Sequence, residues 1–185
     1  SFDFPSDKAT TETILSAEKG ETVVSNGEFL GKTDNGDNTE TWHHKMPVPH
    51  SIYLVSFIIG KYVKVEAKYG DIPLGYYIYP GREQTARNAY SRTPDMMKVF
   101  EELTGVKYPY NKYDQTVVAT FQFGGMENIT ATTMADTEIM WADSEFGRNF
   151  AMDLVSHELA HSWFGNLVTC ENWAELWLNE GFATF

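Results

Sequence analysis

A change of hydrophobic period at YPGREQTARNAY, residues 79 to 90, constrains the fold more than any other feature of this chain. Upstream, short runs rich in Thr, Val, Ile and Tyr alternate with turn clusters, the grammar of β-structure. ETVVSNG ends in an Asn26-Gly27 turn signal, and KTDNGDNTETW carries a second at Asn35-Gly36. Downstream, Ala86, Ala89, Tyr90, Met96, Met97, Val99, Phe100 and Leu103 recur at helical spacing. They predict a helix over about 82–103, with Gly105 as its stop. An all-β part over 1–80 followed by a mixed part over 81–185 makes the fold class α+β.

Within the second part, QTVVATFQF (115–123) reads as a strand running into GGMEN (124–128). A helix is expected from about Ser144 to Phe164, capped by Gly165. Another begins near Asn172, where Asn172-x-x-Glu175 resembles a capping box, and it runs on to Phe185. The longest apolar run, SIYLVSFIIG (51–60), is about half the length a membrane-spanning helix needs and reads as a buried strand. No internal repeat or low-complexity tract is visible.

The formal net charge of −12 disfavours nucleic acid, whose phosphates demand clustered Lys and Arg. It favours a cationic ligand such as a free amino group. The single cysteine, Cys170, allows no disulfide within the chain and reads as a small buried hydrophobe.

The candidate chemistry lies in HELAHSWFGNLVTCENWAELWLNEGFATF, residues 157 to 185. His157 and His161 are four apart, so on a helix their imidazoles share one face. With Glu158 between them they form the H-E-x-x-H pattern of zinc peptidases. Glu180 sits on the next expected helix beside the apolar run Leu176-Trp177-Leu178, where an unpaired carboxylate would be costly. Two His and one Glu complete the three-ligand set of a catalytic zinc, leaving a fourth position for water. His43, His44 and His50 lack such spacing and read as structural or surface residues. Trp163, Trp173 and Trp177 are expected to pack around the site.

GGMEN, HELAHSWFGN and WLNEGFA, in this order and spacing, resemble the aminopeptidase N and leukotriene hydrolase family of zinc aminopeptidases. FDFPSDKATTETIL and PVPHSIYLVSFIIGKY are similar to the later part of that family's N-terminal β-domain, so the resemblance covers essentially the whole chain. It implies the end of a saddle-like all-β domain (1–80) followed by the first part of a thermolysin-like α/β catalytic domain (81–185). It further implies one zinc ion on His157, His161 and Glu180, with Glu158 as general base. Glu127 would hold the free α-amino group of a peptide substrate. Gly124 and Gly125 would let an extended substrate approach the backbone, and Phe123 would line the first side-chain pocket. Asn128 and Asn179 flank these residues and either order them or cap turns.

In that family a tyrosine well downstream of the third ligand stabilises the oxyanion, and no tyrosine follows Glu180 here. The resemblance thus implies an internal fragment, inactive or nearly so by itself. Two other readings share these residues: a thermolysin-type endopeptidase, which GGMEN argues against, and a non-catalytic zinc-binding or interaction module, which an intact Glu158 argues against. Added epoxide hydrolase activity, preferred first residue, oligomeric state and compartment are left open.

Overall fold

The structure, a computed structural model, describes residues 3–185. Phe2, the first residue of FDFPSDKATTETIL, lies outside them. The β-rich reading of the first 80 residues holds: β1 (Lys8–Glu18), β2 (Thr22–Ser25), β3 (Glu28–Asp34), β4 (Thr39–Ser51), β5 (Phe57–Gly60), β6 (Val63–Tyr69) and β7 (Ile72–Ile78) follow one another. β1, β4 and β3 form an antiparallel sheet with β4 central, and β2 pairs with β5 in a two-stranded ribbon.

The two Asn-Gly signals have different fates. Asn35-Gly36 lies in the β3–β4 hairpin turn, where Gly36 has φ +80°. Asn26-Gly27 makes no hairpin, since β2 pairs with β5 and not with β3. SIYLVSFIIG is also not one buried strand. It opens with a 3₁₀ turn, Ile52–Leu54, and its strand β5 leaves Phe57 exposed.

The second sheet is mixed and five-stranded. It adds β8 (Tyr113–Val118), β9 (Gly125–Met126) and β10 (Ala131–Ala135) in the order β6-β7-β8-β10-β9. β7, β8 and β10 run parallel, and the antiparallel β9 closes one edge. The expected division at residue 80 falls inside this sheet, because β6 and β7 precede it and β8 follows it. The strand expected over 115–123 stops at Val118, where a loop containing Thr120 at φ +58° breaks the extended run.

The helix expected over 82–103 is two helices, α1 (Glu83–Tyr90) and α2 (Thr93–Thr104). Pro94 explains the break: it has no N–H to give Tyr90, and its ring clashes with the preceding turn. Gly105 ends α2 in the left-handed conformation, φ +70°, its N–H on the Glu101 carbonyl. After the short α3 (Asp136–Ile139) comes α4 (Glu145–Ala160), capped by the Ser144 hydroxyl accepting from Gly147 N–H. α5 (Trp177–Thr184) follows a 3₁₀ turn, Trp173–Glu175, that the Asn172 side chain opens by accepting from Ala174 N–H. The core lies between the five-stranded sheet and the helices. Leu74, Ile78, Tyr90, Met97, Tyr113, Met134, Ile139 and Leu159 are fully buried in it. No helix of the described residues is long and apolar enough to cross a membrane.

Candidate metal centre and its surroundings

His157 lies in the last turn of α4 and His161 is its C-terminal cap. The helix therefore ends four residues earlier than its periodicity suggested, and Gly165 is not its cap. Gly165 has φ +121°, and a Cβ there would sit 3.1 Å from His161 Nδ1 and 3.5 Å from Asn179 Nδ2. Its role is to let the turn after α4 fold back against the His161 ring. That turn places the Phe164 carbonyl 2.9 Å from His161 Nδ1, where it accepts the ring N–H. With Nδ1 so committed, His161 Nε2 presents a lone pair to the cluster.

Three donor atoms converge there. His161 Nε2 lies 3.2 Å from His157 Nε2, and Glu180 Oε2, carried by α5, lies 3.4 Å and 3.5 Å from the two imidazoles. Ligands about 2.0–2.1 Å from a common tetrahedral centre stand about 3.3–3.4 Å apart, so these separations fit one zinc-sized cation. Electrostatics agrees. Burial pulls the His161 imidazole down, but the Glu180 hydrogen bond and the charges of Glu127 and Glu180 outweigh it and raise its pKa to about 9. Hydrogen bonds from both histidines hold Glu180 well below the ordinary carboxylate range. The cluster thus demands positive charge between its donors, and a proton supplies it where a metal ion would.

Glu158 adjoins this set. Its side chain is 5% exposed, and Oε2 is buried without a hydrogen-bond partner. Burial first, then the charges of Glu127 and Glu180, lift its pKa to about 8 against the opposing pull of His161. A carboxylate that is orphaned, raised and next to the donor set is placed to exchange a proton with something bound there. Glu127, also buried, comes within 4.8 Å of Glu158 and His161.

Gly125 has a reason beyond the one expected. Its missing Cβ leaves the space that the Glu158 carboxylate occupies. A Cβ at Gly124 would instead meet Leu154 Cδ1 at 3.3 Å, and the Gly124 carbonyl accepts from Ala135 N–H. β9 is an edge strand of the five-stranded sheet, paired through Gly125 and Met126 with β10 on one side. Phe123 is 70% exposed and meets the Phe121 ring in a T-shaped contact, centroids 6.2 Å apart.

The tryptophans divide. Trp163 is buried against Phe100 and Tyr108, whereas Trp173 and Trp177 are 37% and 60% exposed and do not pack in the core. The helix registers explain this, since α5 turns Trp177 outward and its indole N–H reaches only Glu175. Both asparagines order rather than cap. Asn179 Oδ1 accepts from Cys170 N–H and its Nδ2 donates to the Tyr53 hydroxyl; Asn128 Oδ1 accepts from Thr133. Asn166, given no role in the sequence reading, donates through Nδ2 to the Glu127 carbonyl at 3.0 Å. Its place inside HELAHSWFGN was the available signal.

A mixed fold, two histidines and a glutamate spaced as one cation would need, and an adjoining buried carboxylate form the arrangement expected of a metal-dependent hydrolase. Comparison with known proteins narrows it. The model of the peptidase family M1 domain matches residues 88–185. Aminopeptidase N of Streptomyces lividans is 36% identical across the whole chain, which covers 22% of that protein. The mitochondrial aminopeptidase 2 of Saccharomyces cerevisiae is likewise 36% identical, with 20% of its length covered. Glutamyl aminopeptidase of Rattus norvegicus is 32% identical over the whole chain and 20% of its own length. The chain belongs to peptidase family M1 and spans about a fifth of the length of these relatives.

Proposed function

We propose that the protein carrying this chain is a zinc aminopeptidase, removing the first residue from peptides with a free N-terminus. The observation that carries this reading is the convergence of His157 Nε2, His161 Nε2 and Glu180 Oε2 beside the orphaned Glu158 carboxylate. These three residues would hold the ion. Bound zinc would supply Lewis acidity to polarise the scissile carbonyl and acidify a water. Glu158 takes the proton of the attacking water and returns it to the leaving amine; its raised pKa suits both halves of that exchange. Glu127 holds the substrate ammonium by a charge-assisted hydrogen bond, so only the first peptide bond reaches the donor cluster. Gly124 and Gly125, at the sheet edge, receive the substrate backbone, and Phe123 adjoins the first side chain.

The parent architecture is a saddle-like β-domain (1–80) leading into a thermolysin-like catalytic domain (81–185), with β6 and β7 of the first part pairing into the second sheet. The test uses the full-length protein with amino-acid 4-nitroanilides and their N-acetylated counterparts. Chelator-sensitive hydrolysis confined to the free amines supports the reading. Equal hydrolysis of both would make the protein an endopeptidase, and metal binding without hydrolysis would make it a non-catalytic module.

A further inference from the structure

The turn after α4 serves the site with three successive residues. The Phe164 carbonyl accepts from His161 Nδ1 at 2.9 Å, Gly165 leaves room for that ring, and Asn166 faces both ways. Its main-chain N–H donates to the His161 carbonyl at 2.9 Å, while its side-chain Nδ2 donates to the Glu127 carbonyl at 3.0 Å. One residue thus joins a ligand of the candidate metal centre to the residue whose carboxylate would hold a substrate amine, across 39 positions of sequence. Ligand atoms of Glu127, Glu158 and His161 lie within 4.8 Å of one another, so the bond governs a short distance.

The turn is closed on itself and tied from outside. Gly165 N–H donates to the Val168 carbonyl at 2.7 Å, and Val168 N–H returns to the Trp163 carbonyl at 3.0 Å. Lys8 Nζ holds the Asn166 and Leu167 carbonyls, both at 3.1 Å. Glu127 has less support of its own. It follows β9, which is two residues long, and precedes a loop whose Thr130 stands at φ +61°. Asn166 is 4% exposed, and its Oδ1 is buried without a hydrogen-bond partner. A buried amide with an unmet acceptor is costly, and an apolar side chain there would carry no such cost. What the amide adds is the donation from Nδ2 to Glu127.

We propose that Asn166 is a positioning residue for the aminopeptidase reaction: by holding the Glu127 main chain against the turn that orients His161, it sets the distance between the amine-binding carboxylate and the metal donors. The inference rests on the aminopeptidase reading. In an α-amino acid the amino group and the scissile carbonyl share one carbon, so both can be held only at one spacing of Glu127 from those donors. A β-amino acid, longer by one methylene, is held poorly at that spacing.

The test uses the full-length, zinc-replete enzyme and calorimetric binding of three hydroxamates: that of an α-amino acid, its β-amino homologue and its desamino analogue. Asn166→Ala and the isosteric Asn166→Asp both delete the donor while keeping the main-chain N–H on His161. In both, zinc affinity should stay within about threefold of wild type, and affinity for the desamino hydroxamate within about twofold. The α-amino hydroxamate should bind about tenfold more weakly, the scale of one hydrogen bond to a charged group, and the α-over-β preference should shrink by a similar factor. In a Glu127→Gln background, Asn166→Ala should add less than about twofold. An unchanged α-over-β preference, or equal weakening of all three hydroxamates, would overturn the positioning role while leaving the aminopeptidase reading intact. Loss of zinc or of folding in both variants would make Asn166 a structural part of the turn and overturn the role as well. Wild-type enzyme with no preference for the free amine would overturn that reading, and this proposal with it.

Discussion

Gly165→Ala tests whether the turn after α4 sets the His161 tautomer. The substitution has two costs. At φ +121° an L-residue is strained, on the order of 1–3 kcal/mol. The new Cβ would also sit 3.1 Å from His161 Nδ1, inside normal van der Waals distance and beside the 2.9 Å bond to the Phe164 carbonyl. The ring can yield only by turning about its side-chain torsions, which moves Nε2 off the donor cluster and frees Nδ1–H from its acceptor. Losing the group that orients a ligating histidine weakens metal binding about 10- to 100-fold. Titrating the apo-protein with zinc against a chromophoric chelator measures this directly. A native-like circular dichroism spectrum with zinc affinity reduced at least tenfold is the expected outcome. Affinity within twofold of wild type, in folded protein, would refute the argument that the Gly165 turn holds His161.

Glu158→Gln should retain zinc within about threefold and lower kcat of the full-length enzyme by about 10²–10⁴, because the amide cannot accept the proton; steady-state kinetics with metal analysis decides it. His44, buried beside Phe29 with Nδ1 unpartnered, is held near pKa 4 by burial, with Lys112 and His43 adding to the effect. Its folded pKa is depressed below the unfolded value of about 6.5, so the stability it contributes is present above that value and lost as pH falls toward 4. Relative to His44→Gln, the wild type should lose about 3 kcal/mol between pH 7.5 and 4 by urea denaturation, and a flat difference would count against it. Asn26→Ala removes bonds of 3.1 Å and 2.7 Å to the Leu54 and Ile129 carbonyls and one of 2.7 Å from Ser56 N–H, all at a fully buried position. It should cost about 3–4 kcal/mol in the same assay, since at least two backbone groups are left unpaired.

What the sequence disclosed follows from the range of the interactions involved. The His157–His161 pair was legible because helical spacing is a local rule. Glu180 was legible because a carboxylate in an apolar run needs a partner. Pro94 was a local signal too, and helical periodicity alone ran past it. Asn26-Gly27 misled because a dipeptide that usually turns a hairpin supplies a side-chain clamp here. Its three hydrogen bonds reach residues 28, 103 and 30 positions away. Gly165 was illegible in its actual place for the same reason: it acts on His161 through a turn brought in by the fold and carries no spacing rule. The Trp177 expectation failed because aromatic content signals burial without saying which helix face is buried, whereas Trp173, half-buried, does meet Tyr53 edge-on.

The long-range bonds share a direction. Gly27 N–H donates to Thr130 Oγ1 at 2.7 Å, and Thr130 itself sits at φ +61°, a conformation an isolated loop would resist. Lys112 Nζ reaches the Ser25 carbonyl at 2.8 Å, Lys8 Nζ the Asn166 and Leu167 carbonyls at 3.1 Å, and the Trp173 indole the Asp3 carbonyl at 2.8 Å. Each joins the β-rich half to a segment bordering the site: the strand before GGMEN, the loop after it, the turn after α4 and the entry to α5. The helices can set the spacing of His157 and His161 by themselves, because that geometry is internal to one turn. They set where Glu127 stands only in part: Asn166, in the turn after α4, donates to the Glu127 carbonyl, but the loop that carries Glu127 is also held from outside by Asn26, Gly27 and Leu54. Metal affinity should therefore depend chiefly on α4 and α5, and recognition of the substrate amine on the contact between the two halves.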